Sequence, residues 1–434
     1  MQYTEMTKSQ AKDELARQRE IYEGYKAMGL SLDMSRGKPD AEQLALSDGM
    51  LTVLQSPEQC KPAVLGRQDM RNYGVLDGIP AAKDMLADLL DVPSENVIVC
   101  GNSSLNIMYD MMVRCLLFGS SKTTEPWIKQ GKIKFLCPVP GYDRHFAICQ
   151  SLGIEMINVP MNSDGPDMDI VEEYVSSDPQ IKGIWCVPKY SNPGGVVYSD
   201  EVVRRFANLR PAAPDFRIFW DNAYAVHGLY DEDDKLLNIV EEVEKAGNPH
   251  MVYEFASTSK ITFPGSGIGC VAASTENLNY IRSLMTVQTI GHDKLNMLRH
   301  VLFFADENGN TRDNLRAHMR RHADILRPKF EAFEEAFDAE LSGTGVARWS
   351  RPRGGYFISF DMQIGSAKRV YELMANCGVK MTEAGATFPY GVDPSDSNLR
   401  IAPSFPPVSE IKIAAKILIC TSKIAALEEM LGES

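Results

Sequence analysis

Apolar positions change their period along the chain. Near the start Leu15, Ile21, Tyr22 and Tyr25 recur at helical spacing among charged residues and the pattern stops at Gly29, which predicts an amphipathic helical arm followed by a loop over Ser35 to Pro39. From about residue 70 to 275, short β-branched runs alternate with helix-length segments, the pattern of βα units and a mainly parallel sheet. The strands it predicts are 96–100, 133–137, 183–187, 217–221 and 269–274. From about 310 a long charged helical run leads to a last third with two more strand candidates, 354–360 and 399–403. That third reads as a second, smaller α+β domain.

The length of 434 residues allows two or three domains at about 100–200 residues each. A net charge of −13 argues against a surface built for nucleic acid or anionic lipid, so small molecules and other proteins are the expected partners. The N-terminus has no apolar core of the signal-peptide kind, and no apolar run is long enough to span a membrane. Nine cysteines, from Cys60 to Cys420, form no CxxC pair and no zinc-like spacing. Reduced thiols in a cytoplasm, and no metal, are expected.

The predicted strands of the central region end at distinctive loops: Gly101 to Ser104, Pro138 to Tyr142, Pro188 to Gly195, and Asp221 to Tyr224. Loops at strand C-termini build the ligand site of open α/β sheets. Lys260 closes Ser257-Thr258-Ser259-Lys260 after the apolar run Met251 to Ala256. A lysine among hydroxyls at a strand end can serve as a Schiff-base amine; a solvated loop lysine is the plain alternative. Asp221 and Tyr224 leave their strand together, a carboxylate suited to a heteroaromatic nitrogen and a phenol suited to a ring oxygen, although Asp-Asn after a strand is also ordinary turn chemistry. Asn192, before Pro193-Gly194-Gly195, is either a plain turn residue or an amide presented to a ligand.

Taken in this order, Asn192-Pro193, Asp221 with Tyr224, and Ser257-Thr258-Ser259-Lys260 resemble the class I aminotransferases of the fold-type I pyridoxal phosphate family. The likeness runs from Ser35-Arg36-Gly37-Lys38-Pro39 to Arg400, and SRGKPD, GNSSLN and SKITFPGSG look most like a divergent bacterial subgroup of aspartate aminotransferases. The resemblance implies an α/β fold. A large domain (46–315) would hold a mainly parallel seven-stranded sheet flanked by helices, beside a smaller α+β domain (316–434), with residues 1–45 as an arm and part of the small domain.

The resemblance also implies roles. Lys260 would hold the aldehyde of pyridoxal 5′-phosphate and then carry the proton between the substrate Cα and the cofactor C4′. Asp221 would pair with the pyridinium nitrogen, Asn192 and Tyr224 with the phenolic oxygen, and Tyr142 would stack on the ring unless it is a core tyrosine. His145 would support Asp221 unless it is a surface histidine. Gly101, Asn102, Ser103 and Ser104 would receive the phosphate at a helix N-terminus, with Ser257 and Ser259 as further donors. Tyr73 would reach the phosphate of a neighbouring subunit, which makes a homodimer with sites at the subunit interface, or else it is an interfacial or core aromatic. Arg400 would clamp the substrate α-carboxylate, and the backbone of Gly37 would approach the same group. The implied reaction is reversible amino transfer between an amino acid, aspartate being the best single candidate, and 2-oxoglutarate. A β-lyase, a decarboxylase and a non-enzymatic pyridoxal phosphate-sensing regulator domain share the same key residues and stay open at this point.

Two departures stand out. The family's phosphate-binding arginine in a GxRxG context is absent, the run here being Gly265-Ser266-Gly267-Ile268-Gly269. A desolvated phosphate needs compensation, for which the serines above and Lys294 are candidates. The residue that meets the substrate side chain is the second gap; Arg36, Lys38 and Arg353 are the basic residues in suitable loops, each also readable as a surface charge.

Overall fold

The computed structural model describes residues 2–62 and 66–433. Thr7 caps the first helix, Lys8–Ala27, through a capping box with Gln10. Ala11, Leu15, Gln18 and Tyr22 form its buried stripe, and Ile21, one residue off that stripe, turns to solvent instead of joining it. A two-residue strand, β1 (Leu32–Asp33), pairs in parallel with Val379–Lys380 and so ties the N-terminal segment to the last third of the chain.

The central sheet contains β2 (Val97–Val99), β3 (Lys134–Val139), β4 (Glu155–Asn162), β5 (Gly165–Pro166), β6 (Ile181–Cys186), β7 (Arg217–Asp221), β8 (Val252–Ser257) and β9 (Gly269–Ala272). Their spatial order is β2-β9-β8-β7-β6-β3-β4-β5. The sheet therefore has eight strands rather than seven, the extra one being β5, a two-residue edge strand antiparallel to β4 and too short to register as an apolar run. β4 was not among the predicted strands either, because it lies near the edge and exposes Asn158, Pro160 and Asn162. By contrast β6, β7 and β8 are buried at every position, and each reads as a mainly apolar run that admits a single charged residue before its end, Lys182, Arg217 and Glu254 respectively.

Strands β4, β3, β6, β7 and β8 are mutually parallel. β9 is antiparallel to both β8 and β2, so β2 points the same way as the parallel set. The C-terminal ends of β2, β3, β6, β7 and β8 thus open on one edge of the sheet. The chain builds outward from β3 through β4, then returns to the other side of β3 with β6, and such a reversal is where open sheets bind ligands.

The helix Arg312–Glu340 starts in the sheet core with Leu315 and Met319 and continues into a second core with Leu326, Phe330, Phe333 and Phe337. That second core also takes residues from the antiparallel sheet β10 (Ala347–Trp349), β11 (Ile358–Met362) and β13 (Asn398–Ile401), from β12 (Val379–Lys380), from the helix Val408–Leu431 and from the N-terminal helix. Among the described residues no helix is long and apolar enough to cross a membrane. All nine cysteines are free and buried.

Candidate active site

Asp221 is the last residue of β7 and only 2% exposed. Its Oδ2 accepts from Nε2 of His145 at 3.0 Å, whereas its Oδ1 is buried with no partner among the described residues. His145 is itself buried, on the helix Asp143–Ser151 that follows β3, stacked 4.4 Å from the Trp185 ring and edge-on to Tyr142 at 4.9 Å. It is not a surface histidine. A buried acceptor left without a donor costs free energy, so Asp221 Oδ1 is set up for a donor from outside the chain.

The turn after β8 carries Lys260 to the same region, with Nζ 4.8 Å from the centre of the Tyr224 ring and 5.9 Å from that of Tyr356. Burial lowers the Lys260 pKa from the ordinary lysine value, with the charge of Asp221 pulling the other way. The net shift is toward the free amine. Tyr224 is buried, and burial first, then the charges of Tyr142 and Asp221, push its phenol well above the usual range.

A cavity of about 350 Å³ opens in front of Lys260 and is walled by Tyr142, Asn192, Tyr224, Gly37 and Arg400 among others. Arg400, buried on β13, donates to Asp143 Oδ1 at 2.6 Å, to Asn192 Oδ1 at 3.4 Å and to Thr382 Oγ1 at 3.4 Å, while its Nε is buried without a partner. Its guanidinium lies 4.9 Å over the Phe357 ring. Gly37 abuts that same ring so closely that any Cβ would collide with it.

Beside the cavity three backbone turns converge. Gly101 adopts φ +66°, and Ser103 caps the helix Ser104–Phe118 by accepting from Asn106 N. A Cβ on Gly267 would lie 2.9 Å from Asn102 O and 3.3 Å from Ser259 N. Ser257 Oγ donates to Ser259 Oγ at 3.1 Å. Amides and hydroxyls around a helix N-terminus make an anion cup, and position 267 faces it without room for a side chain in the present packing.

Other candidates are not drawn in. Tyr73 is 78% exposed and stands outside the cavity wall. Lys294 is buried at the start of the helix Lys294–Phe304, also outside that wall. Arg36 lines the cavity, but Lys38 lies 3.9 Å over Phe405 and Arg353 pairs with Asp234 at 3.2 Å on the surface. Asp143, Arg144, Lys380 and Thr382 line the cavity without having been anticipated. The first two directly follow Tyr142 and were within reach of that motif; Lys380 and Thr382 sit on and just after a two-residue strand that leaves no pattern.

Residues 6–434 match the family described as aspartate amino-transferase. The chain belongs to that family. A Corynebacterium glutamicum protein named aspartate aminotransferase is 45% identical over 407 residues, covering 94% of this chain and 92% of its own. The crystal structure of an aspartate transaminase from the same species aligns with TM-score 0.94 at 43% identity over 99% of both chains. The α-aminoadipate aminotransferase LysN of Thermus thermophilus, solved with N-(5′-phosphopyridoxyl)-L-leucine, shares the fold at TM-score 0.70 and 20% identity, covering 92% of this chain and 93% of its own. This aminotransferase is therefore a fold-type I enzyme of a family that uses pyridoxal phosphate, and the lyase, decarboxylase and regulator readings of the same residues fall away.

Proposed function

We propose that the enzyme binds pyridoxal 5′-phosphate on Lys260 and exchanges amino groups between aspartate and 2-oxoglutarate. The observation that carries this is the buried oxygen of Asp221, left without a donor among the described residues, in the same site as a buried lysine whose pKa is lowered. The residues fit the cofactor: Asp221 Oδ1 would take the ring N–H, Asn192 and Tyr224 the phenolic oxygen, Tyr142 a ring face, and the cup of Gly101, Asn102, Ser103, Ser104, Ser257 and Ser259 the phosphate. When bound, the cofactor supplies an electron sink for charge developing at the substrate Cα. His145 holds the Asp221 carboxylate in place, and Asp221 would keep the ring nitrogen protonated. The Lys260 amine takes the Cα proton, a task that needs it unprotonated at working pH. Arg400 would grip the α-carboxylate with Gly37 alongside, in the bound substrate and the transition state alike.

Charge supports a dicarboxylic substrate. Arg36, Arg144, Lys380 and Arg400 line the cavity against the single carboxylate of Asp143. Arg400 is buried whereas Arg36, Arg144 and Lys380 are exposed, so one carboxylate of aspartate or 2-oxoglutarate would meet Arg400 and the second would find a cation among the exposed three, which an aromatic or aliphatic side chain would not use.

A homodimer belongs to the same reading. Gly291 presses on the backbone of Gly74, which brings Tyr73 into the neighbourhood of Ile290, 78% and 61% exposed. A second copy would cover this apolar patch and bring Tyr73 to its partner's phosphate cup. Residues 1–45 and 316–434 would act as one body against 46–315, and nine buried free thiols suit a reducing cytoplasm.

A screen of purified protein over dicarboxylic, aromatic and small amino acids tests the substrate. Glutamate should form from aspartate and 2-oxoglutarate without release of ammonia or carbon dioxide. A strong preference for an aromatic or aliphatic donor would overturn the aspartate assignment.

A further inference from the structure

Six of the seven histidines gather around the site, and the reaction outlined above uses only His145. Three of the others hold the turn that carries Lys260. His300 places Nε2 at 3.0 Å from Thr258 Oγ1 and 2.9 Å from Thr262 Oγ1, with Nδ1 donating to Asn296 O at 2.8 Å. His318 donates from Nε2 to Ile261 O at 2.8 Å, and His322, one turn along the same helix, sets its Nε2 3.1 Å from that of His318.

The chain of contacts continues across the fold. Gln43, fully buried in the N-terminal segment, donates from Nε2 to His322 Nδ1 at 3.1 Å and to the Tyr356 hydroxyl at 2.9 Å. Tyr356 in turn reaches the main-chain oxygen of Lys260 at 3.5 Å, and His227 Nε2 lies 3.4 Å from the same oxygen. With Nδ1 of His322 accepting from Gln43, both Nε2–H groups of His318 and His322 are free to point at the Ile261 carbonyl. That assignment needs neutral rings. Burial supplies them, lowering His318 and bringing His322 to about 3, with the neighbouring His318 adding to the effect. Of the charged groups around the rings, Asp40 pairs with Lys329, and Arg321 lowers both histidines further.

A buried polar network restricts geometry, because rearrangement would leave further desolvated groups unpaired; its unmatched points are the 3.1 Å approach of the two Nε2–H groups and the unpartnered Nδ1 of His227 among the described residues. We propose that Gln43, His318, His322 and Tyr356 are positioning residues: together they fix the backbone at Lys260 and Ile261, and through it the direction of the Lys260 amine. None of the four touches the reacting atoms. The network joins the N-terminal segment, the helix Arg312–Glu340 and the segment just before β11, so it forms only when these three are seated together.

The inference rests on Lys260 as the cofactor-bearing amine, and its test uses holoenzyme. Tyr356→Phe removes one hydroxyl and keeps the ring; His318→Leu removes the donor to Ile261, and His318→Gln retains one. For the first two variants kcat should fall about 10- to 100-fold, the loss expected when a reacting group is misdirected, while KM for aspartate stays within about threefold. The pH midpoint of the bound cofactor's visible absorbance change should move by about half a unit or more, and His318→Gln should restore most of both properties. Should His318→Leu fail to fold, Tyr356→Phe decides. Variants that load cofactor and keep the wild-type kcat and midpoint would overturn the proposal, whatever happens to their melting temperature. Wild-type protein that takes up no pyridoxal phosphate would instead remove the reading beneath it.

Discussion

Replacing Arg400 with lysine keeps the positive charge and removes the fork. The guanidinium is held by Asp143 at 2.6 Å, with Asn192 and Thr382 at 3.4 Å, and it retains an unpartnered Nε and a stacking contact with Phe357. An ammonium cannot offer two parallel N–H groups, so its grip on a carboxylate loses about one charge-assisted hydrogen bond, worth about 1.5–3 kcal/mol. At about 1.36 kcal/mol per factor of ten, kcat/KM should drop about 10- to 150-fold. The α-carboxylate is held in both the bound substrate and the transition state, so most of the loss should fall on KM and kcat should stay within about threefold. Initial rates with varied aspartate and saturating 2-oxoglutarate, on enzyme whose cofactor content is checked by absorbance, measure both constants. A fully loaded Arg400→Lys enzyme that keeps kcat/KM within about threefold of wild type would refute the clamp.

Three further changes have definite signs. Glu254 is buried on β8 with Asn222 Nδ2 as its one side-chain hydrogen-bond partner among the described residues, and burial raises its carboxyl from 4.5 to about 7. A raised acid contributes stability that is present below pH 4.5 and lost as pH climbs through 7, so Glu254→Gln should be about 3 kcal/mol more stable than wild type at pH 8 and equal to it below pH 4.5, as denaturant titrations at the two pH values would read. Lys182 and Asp215 form a buried pair at 2.7 Å, each also bonded to Gln130; Asp215→Ala strands the lysine and should cost about 3–5 kcal/mol in the same assay, leaving the Lys260 site intact. Asp143 binds the guanidinium that is to receive substrate, so Asp143→Asn should leave KM for aspartate unchanged or lower it, and a tenfold rise, about 1.4 kcal/mol, would contradict that view of Asp143.

The parts of the site visible in the sequence are those attached to the most buried strands. Asp221, Ser257 and Asn192 directly end or closely follow β7, β8 and β6, whose continuous burial leaves a mainly apolar run ahead of the functional residue. β4 and β5 escaped because an edge position tolerates polar residues and a two-residue strand has no period. The histidine network escaped for another reason. His318 and His322 are helix neighbours, but Gln43 and Tyr356 come from distant parts of the chain, and only the seating of three segments brings them together. The cavity cation Lys380 escaped because a two-residue strand carries no local mark of what it faces, whereas Arg144, in the first turn of the helix Asp143–Ser151, stood beside the Tyr142 motif.

The central claim is that one particular amine holds the cofactor. Purified protein incubated with pyridoxal 5′-phosphate, reduced with borohydride and digested should carry one phosphopyridoxyl group per chain, on the peptide containing Lys260. Label on any other lysine, or none at all, would contradict the account.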